Sequence, residues 1–96
     1  MTVANRYVTG NLVRLWVSFR NEVDAPQDPT TVTLRVQDPS GQVSVYETLE
    51  LTKTSVGEWE YRLPAELEGD YSYRWEGTGA LTAAEEGMFV AETRLD

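Results

Sequence analysis

The stretch Gly57-Glu-Trp-Glu-Tyr-Arg-Leu63, followed by Gly69-Asp-Tyr-Ser-Tyr-Arg-Trp75, decides the fold. In each half a large apolar or aromatic residue recurs at every second position: Trp59, Tyr61 and Leu63, then Tyr71, Tyr73 and Trp75. Glu58, Glu60 and Arg62, and later Ser72, Arg74 and Glu76, fill the gaps. Successive side chains of a β-strand leave on opposite faces, so a period of two puts rings on one face and charge on the other. Such alternation marks an antiparallel strand with one face in a core and one in water. Trp59, Tyr71, Tyr73 and Trp75 are therefore expected to build the interior.

The same period runs on either side of this stretch. Asn11–Arg20 carries Val13, Leu15, Val17 and Phe19 on one face and Arg14, Trp16, Ser18 and Arg20 on the other. Thr31–Gln37 turns Val32, Leu34 and Val36 inward. Asp38-Pro-Ser-Gly41 predicts a tight turn, because proline presets its φ and glycine accepts a positive one. Gln42–Glu47 is expected to return from it with Val43 and Val45 inward. Leu49–Thr54 alternates more weakly through Leu49 and Leu51, and a last strand from about Glu86 to Glu92 should bury Gly87, Phe89 and Ala91. Asn21–Pro29 reads as a loop in which Pro26 and Pro29 stop pairing. Pro64–Gly69 allows at most one helical turn, and Gly77–Ala84 reads as a long hairpin loop. Residues 1–10 read as an N-terminal arm with a short edge strand at Arg6–Val8, and residues 11–96 as one domain.

About seven short strands, with turn signals roughly every 8–12 residues and no helix, predict an antiparallel β-sandwich. Gly69-Asp-Tyr71 narrows the class. In immunoglobulin-like sandwiches a tyrosine follows a glycine-containing corner and bonds back to the corner backbone, the place that Tyr71 occupies. The expected fold is thus all-β, an immunoglobulin-like sandwich. Tyr73, two residues on, should carry its hydroxyl to a loop or rim, since a buried phenol needs a partner.

Composition narrows the chemistry. A chain of 96 residues and 10.8 kDa buries about 65% of its extended surface, enough for one core. It has no cysteine and no histidine. Disulfides, thiol nucleophiles, the usual general base and the usual transition-metal ligands are therefore missing. Zero cysteine fits a reducing cytoplasm or a particle assembled there. Met1–Arg6 has no basic stretch leading into an apolar run, so no signal peptide is expected. No run of about 18 apolar residues occurs, and no membrane span is expected. The net charge is −8, from 16 acids and 8 bases, and the bases are scattered. A phosphate backbone needs clustered lysine and arginine, so neither nucleic acid nor an anionic membrane is an expected partner.

The carboxylate pairs Glu58/Glu60, Glu66/Glu68 and Glu85/Glu86 could serve general acid–base work only across a cleft, and a sandwich of this size offers none of the needed depth. Asp24 and Asp28 share one loop, yet a hard cation wants six to eight oxygens. No catalytic residue, cofactor or metal site is expected. Trp16 is the exception to the pattern, an indole on the polar side of its strand beside Arg14. Either an arginine (Arg14 or Arg62) or the arm residues Val3, Tyr7 and Val8 cover it, or it anchors an interface, where tryptophan and arginine are enriched. The candidate partner-binding residues are Tyr7, Val8, Arg14 and Trp16; the apolar arm could also add to another chain's sheet edge.

Val13-Arg-Leu…Phe19, Asp28-Pro-Thr-Thr-Val-Thr-Leu34, Asp38-Pro-Ser-Gly41, Tyr71-Ser-Tyr-Arg-Trp-Glu-Gly-Thr-Gly79 and Ala84-Glu-Glu-Gly-Met-Phe89 occur in this order over residues 8 to 91. In that order and spacing the chain resembles the small stand-alone immunoglobulin-like proteins of tailed bacteriophages and prophages, generally encoded among virion structural genes. The resemblance implies a virion component rather than an enzyme, made in the host cytoplasm. It implies a capsid decoration or cement protein that binds the major capsid protein or other virion proteins, with a homo-oligomer such as a trimer among the arrangements allowed. Tail or head–tail connector decoration is the alternative, as is a displayed adhesive module for glycans. The loops at Asn21–Pro29 and Gly77–Ala84 offer no aromatic platform for the last of these. Trp16 departs from the group, which usually has a small polar residue there.

Overall fold

The computed structural model describes residues 5–93. Eight strands follow one another: β1 (Asn5–Val8), β2 (Leu12–Ser18), β3 (Thr31–Gln37), β4 (Val43–Glu47), β5 (Thr52–Ser55), β6 (Glu58–Pro64), β7 (Gly69–Thr78) and β8 (Ala83–Glu92). A single 3-10 turn, Thr48–Glu50, joins β4 to β5. The strands form two sheets, β1-β8-β7-β3-β4 and β2-β6-β5. All pairings are antiparallel except β1 with β8, which run parallel.

The alternation read from β2, β3, β6 and β7 is the alternation that packs the sandwich. Val13, Leu15, Val17 and Phe19 meet Val32, Leu34 and Val36 across the interior. Trp75 and Phe89 fill the centre with essentially no exposure, flanked by Trp59, Leu63 and Tyr71. Tyr71 stacks on Phe89 with ring centroids 4.6 Å apart. Its hydroxyl accepts from the Leu67 N–H at 3.0 Å and donates to the Leu67 carbonyl at 3.2 Å. This ties the start of β7 to the Pro64–Gly69 corner, as the sequence led one to expect.

Tyr73 behaves differently. Its ring lies half-buried over Gly87, its cross-strand neighbour on β8. A Cβ at residue 87 would come within 2.5 Å of Tyr73 Cζ and also collide with the hydroxyl, so the glycine makes room for the ring. Burial first, then Glu85 and Tyr7, raise the Tyr73 pKa above the ordinary tyrosine value.

Four expectations are corrected. Val43 and Val45 point outward: they are 53% and 41% exposed, while Ser44 and Tyr46 take the inner side. The reason is the loop. Asp38 N–H bonds to the Gln42 carbonyl at 2.9 Å, which leaves three residues in the loop, the last being Gly41 at φ 92°. A three-residue hairpin loop shifts the return strand by one residue relative to a two-residue loop, and one residue of shift exchanges the faces. Leu34 therefore faces Tyr46, and Arg35 faces Val45. Second, Leu49 is not in a strand. Glu47 and Glu50 form a reciprocal capping box around the 3-10 turn and leave Leu49 fully exposed, with only Leu51 buried. Third, β7 and β8 pair as far as Gly77 with Ala83, so the long loop expected over 77–84 shrinks to residues 79–82. Fourth, the short edge strand expected at Arg6–Val8 forms, as Asn5–Val8 of the five-stranded sheet, but it sets Tyr7 edge-on against Phe89 at 5.6 Å. Tyr7 thus packs on the core rather than standing free for a partner.

Two measurements check this packing. Tyr71→Phe removes the corner bonds and leaves Leu67 N–H unpaired, so a fall of about 0.5–1.5 kcal/mol in unfolding free energy is expected from chemical denaturation. Gly87→Ala drives a methyl into the Tyr73 ring and should cost about 1–3 kcal/mol by overpacking, relieved when Tyr73→Ser is added to open the site.

Candidate interaction surface

β2 lies at the edge of the three-stranded sheet, and its outward row is Leu12, Arg14, Trp16 and Ser18. The antiparallel register sets these opposite Pro64, Arg62, Glu60 and Glu58 of β6. Parity thus assembles one surface from two strands: an indole, a leucine, two guanidiniums and two carboxylates. Trp16 is 58% exposed and Leu12 62%. Large apolar groups so open to water on a strand face are the informative kind of exposure.

Arg14 organises the patch. Its guanidinium carbon stands 5.8 Å from the Trp16 ring centroid, within cation–π range. The same guanidinium donates through Nε to the Glu60 carboxylate. Arg62, directly opposite Arg14, makes no ion pair among the described residues. Like charges facing across a pair repel, and Glu60 between them offsets this. The Arg14 hydrogen bond first, aided by the charges of Arg14 and Arg62 and opposed by burial, holds the Glu60 pKa below the usual carboxylate range.

The four candidate contact residues do not come together. Arg14 and Trp16 share this face, while Tyr7 and Val8 belong to β1 in the other sheet. Tyr7 is half-buried on Phe89, and Val8, 39% exposed, lies on β1, the edge strand of the other sheet. The described part of the arm therefore does not cover Trp16, and Arg14 is its companion. Val3 lies outside the described residues. Leu12 was missed as a contact residue although its parity with Trp16 was there to be read. The structural set Trp59, Tyr71, Tyr73 and Trp75 does converge, Tyr73 less deeply than the rest.

The carboxylates read as pairs are put to other uses. Asp28 accepts from Lys53 and from the Gly57 N–H at 2.7 Å, and these bonds, in that order, lower its pKa. Glu85 and Glu86 leave β8 on opposite faces, Glu86 meeting Arg74 at 3.2 Å. Among the described residues no group of three or more acids gathers as a metal site would require. Comparison with protein-family models, with curated proteins and with solved structures finds no match to this chain.

A group whose pKa is lowered by folding adds stability above its unfolded value, and that stability is lost as pH falls through the folded one. Glu60 is such a group. The drop in denaturation midpoint from about pH 5 to about pH 3 should accordingly be shallower in Glu60→Gln than in the parent. An identical pH profile would show that the Arg14 contact is not made in solution.

Proposed function

We propose that this chain is a non-enzymatic binding module of immunoglobulin-like topology, acting as a structural accessory protein of a phage virion. Three features support the topology. β2, β6 and β5 make one sheet, and β3, β7 and β8 the other, as strands B, E, D and C, F, G do in that fold. β4 extends the second sheet beside β3, as the added strand of variable-type domains does. Tyr71 bonds back to its corner at the start of the strand equivalent to F.

The resemblance in sequence supplies the setting, and Trp16 is the observation that carries the mode of action. A half-exposed indole stacked by Arg14, with Leu12 beside it and Arg62 without an ion pair among the described residues, suits a partner that brings an apolar contact and a carboxylate. As a decoration or cement protein the chain would place this face on the major capsid protein. Decoration of the tail or connector would use the same face and differ in copy number. The end formed by Asn21, Val23, Gln27 and Leu81 presents no aromatic ring, which speaks against the adhesive glycan-binding alternative.

Trp16→Ala should fold with a denaturation midpoint close to the parent's, because the side chain is outside the core. It should lose about tenfold or more in occupancy on assembled particles, as truncation of an interface anchor does. Arg62→Glu should weaken the same docking. Parental occupancy for both variants would retire this face as the contact.

A further inference from the structure

On the side of the sandwich away from β2, two strand edges stay unpaired. β5 meets β6 only from Glu58 to Glu60, so Tyr61–Pro64 have no neighbour on that side. β4 is the outermost strand of the five-stranded sheet. Tyr46 of β4 and Tyr61 of β6 stack at 4.2 Å between centroids and bridge the two sheets there. Beside them opens a groove of about 410 Å³, lined by these tyrosines and by Val36 and Leu63, with Asp38 and Glu66 contributing carboxylates and no lysine or arginine among the described residues that line it.

Exposed strand edges in monomeric proteins are guarded by charged residues, lysine above all, by proline, by bulges or by shortness. β1 is four residues long and carries Arg6, paired with Glu92. β2 carries Arg14. β5 is four residues long, with Lys53 and a register break after it. β4, Val43-Ser-Val-Tyr-Glu47, has no proline, bulge or basic residue; its one charge is the acidic Glu47 at its end, and Val43 and Val45 stand exposed along it.

We infer that the β4 edge takes up an extended segment of another protein as a sixth strand of the larger sheet, with a lysine or arginine of that segment entering the groove toward Asp38 and Glu66. The backbone ladder supplies affinity and the alternate side chains supply specificity, as in strand addition generally. One set of side chains enters between Tyr46 and Leu63, and the other covers Val43 and Val45. Asp38 stays ionised for this purpose: one of its oxygens accepts from Ser40 N–H, Ser40 Oγ–H and Gln42 N–H. Charge selects the occupant. A second copy would bring another −8 and another acid-lined groove, whereas a basic segment complements both.

The test is an NMR titration of the full chain with a nine-residue peptide alternating valine and lysine, and with its valine–glutamate counterpart. Amide shifts are expected within residues 43–47 and 61–67 for the lysine peptide alone. Glu66→Lys and Val45→Lys, both at exposed positions, should each weaken binding about fivefold or more. Glu22→Lys makes the same charge change at the other end of the sandwich and should leave it within about twofold. Trp16→Ala should bind the peptide as the parent does, so a failure here is distinguishable from a failure of the β2 face. No binding, equal response to the glutamate peptide, shifts on the β1 or β2 edges, equal loss in Glu22→Lys, or self-association through β4 without peptide would each overturn the inference.

Discussion

Burial of Trp75 between the two sheets is the constraint to which the other packing choices answer. The side chain is wholly enclosed, set across from Leu34 in the register of β3 and β7 and surrounded by residues from both layers. Its indole N–H has no hydrogen-bond partner among the described residues. An unpaired buried donor costs about 1–3 kcal/mol. An aromatic of this size removes roughly 200 Å² from water, worth about 5 kcal/mol, so burial wins. The neighbours then follow. β7 must present Tyr71 on the same side, β8 must present Phe89 beneath it, and Gly87 must be bare so that Tyr73 can lie flat. Both sheets thus supply the interior, Tyr71, Trp75 and Phe89 with Val32, Leu34 and Val36 from the larger and Val13, Leu15, Val17, Trp59 and Leu63 from the smaller.

That two-sided packing explains what could be read in the residues and what could not. In β2, β3, β6 and β7 the apolar parity is unambiguous, because one face must reach the tryptophan and the other must reach water. β4 carries Val43 and Val45 on one parity and Tyr46 on the other, so hydropathy alone favours the wrong face. The deciding information was the number of residues in the Asp38–Gln42 loop, a feature of backbone geometry at Gly41 that alternation does not encode. Leu49 misled in a similar way: its spacing from Leu51 imitates a strand, while the Glu47…Glu50 pair three residues apart was a legible capping signal. Tyr7 was read as a free contact because nothing in the arm says which strand it will join. Only the parallel pairing with β8 brings it to Phe89.

The candidate surface was half legible for the same reason. Trp16 breaks the alternation of its own strand, and a broken local rule is a sign that something other than the core has set the residue. Its partners on the surface come from β6, and their identity depends on a register in which Trp16 meets Glu60 and Arg14 meets Arg62. No local pattern in either strand states that pairing. The β4–β6 groove was invisible from sequence because it is made by an omission, the early end of β5 against β6.

The two proposed recognition features lie on opposite sides of the sandwich, one on the outward face of β2 and β6 and the other at the β4 edge. β1 and β2 end their sheets on one side and are joined across Thr9–Asn11, where Gly10 N–H bonds to the Ala65 carbonyl and Ala65 N–H to the Asn11 carbonyl. β4 and β5 end them on the other. The two sides also differ in charge: one sets Arg14 and Arg62 with Glu58 and Glu60 around an indole, the other sets Asp38 and Glu66 beside a tyrosine pair. A chain that used both could not join two identical patches of one partner, because each side would select a different chemistry. It would join unlike surfaces, a carboxylate-bearing platform on the β2 side and a basic extended segment on the β4 side. In this fold the span between the two sides is the aromatic interior itself.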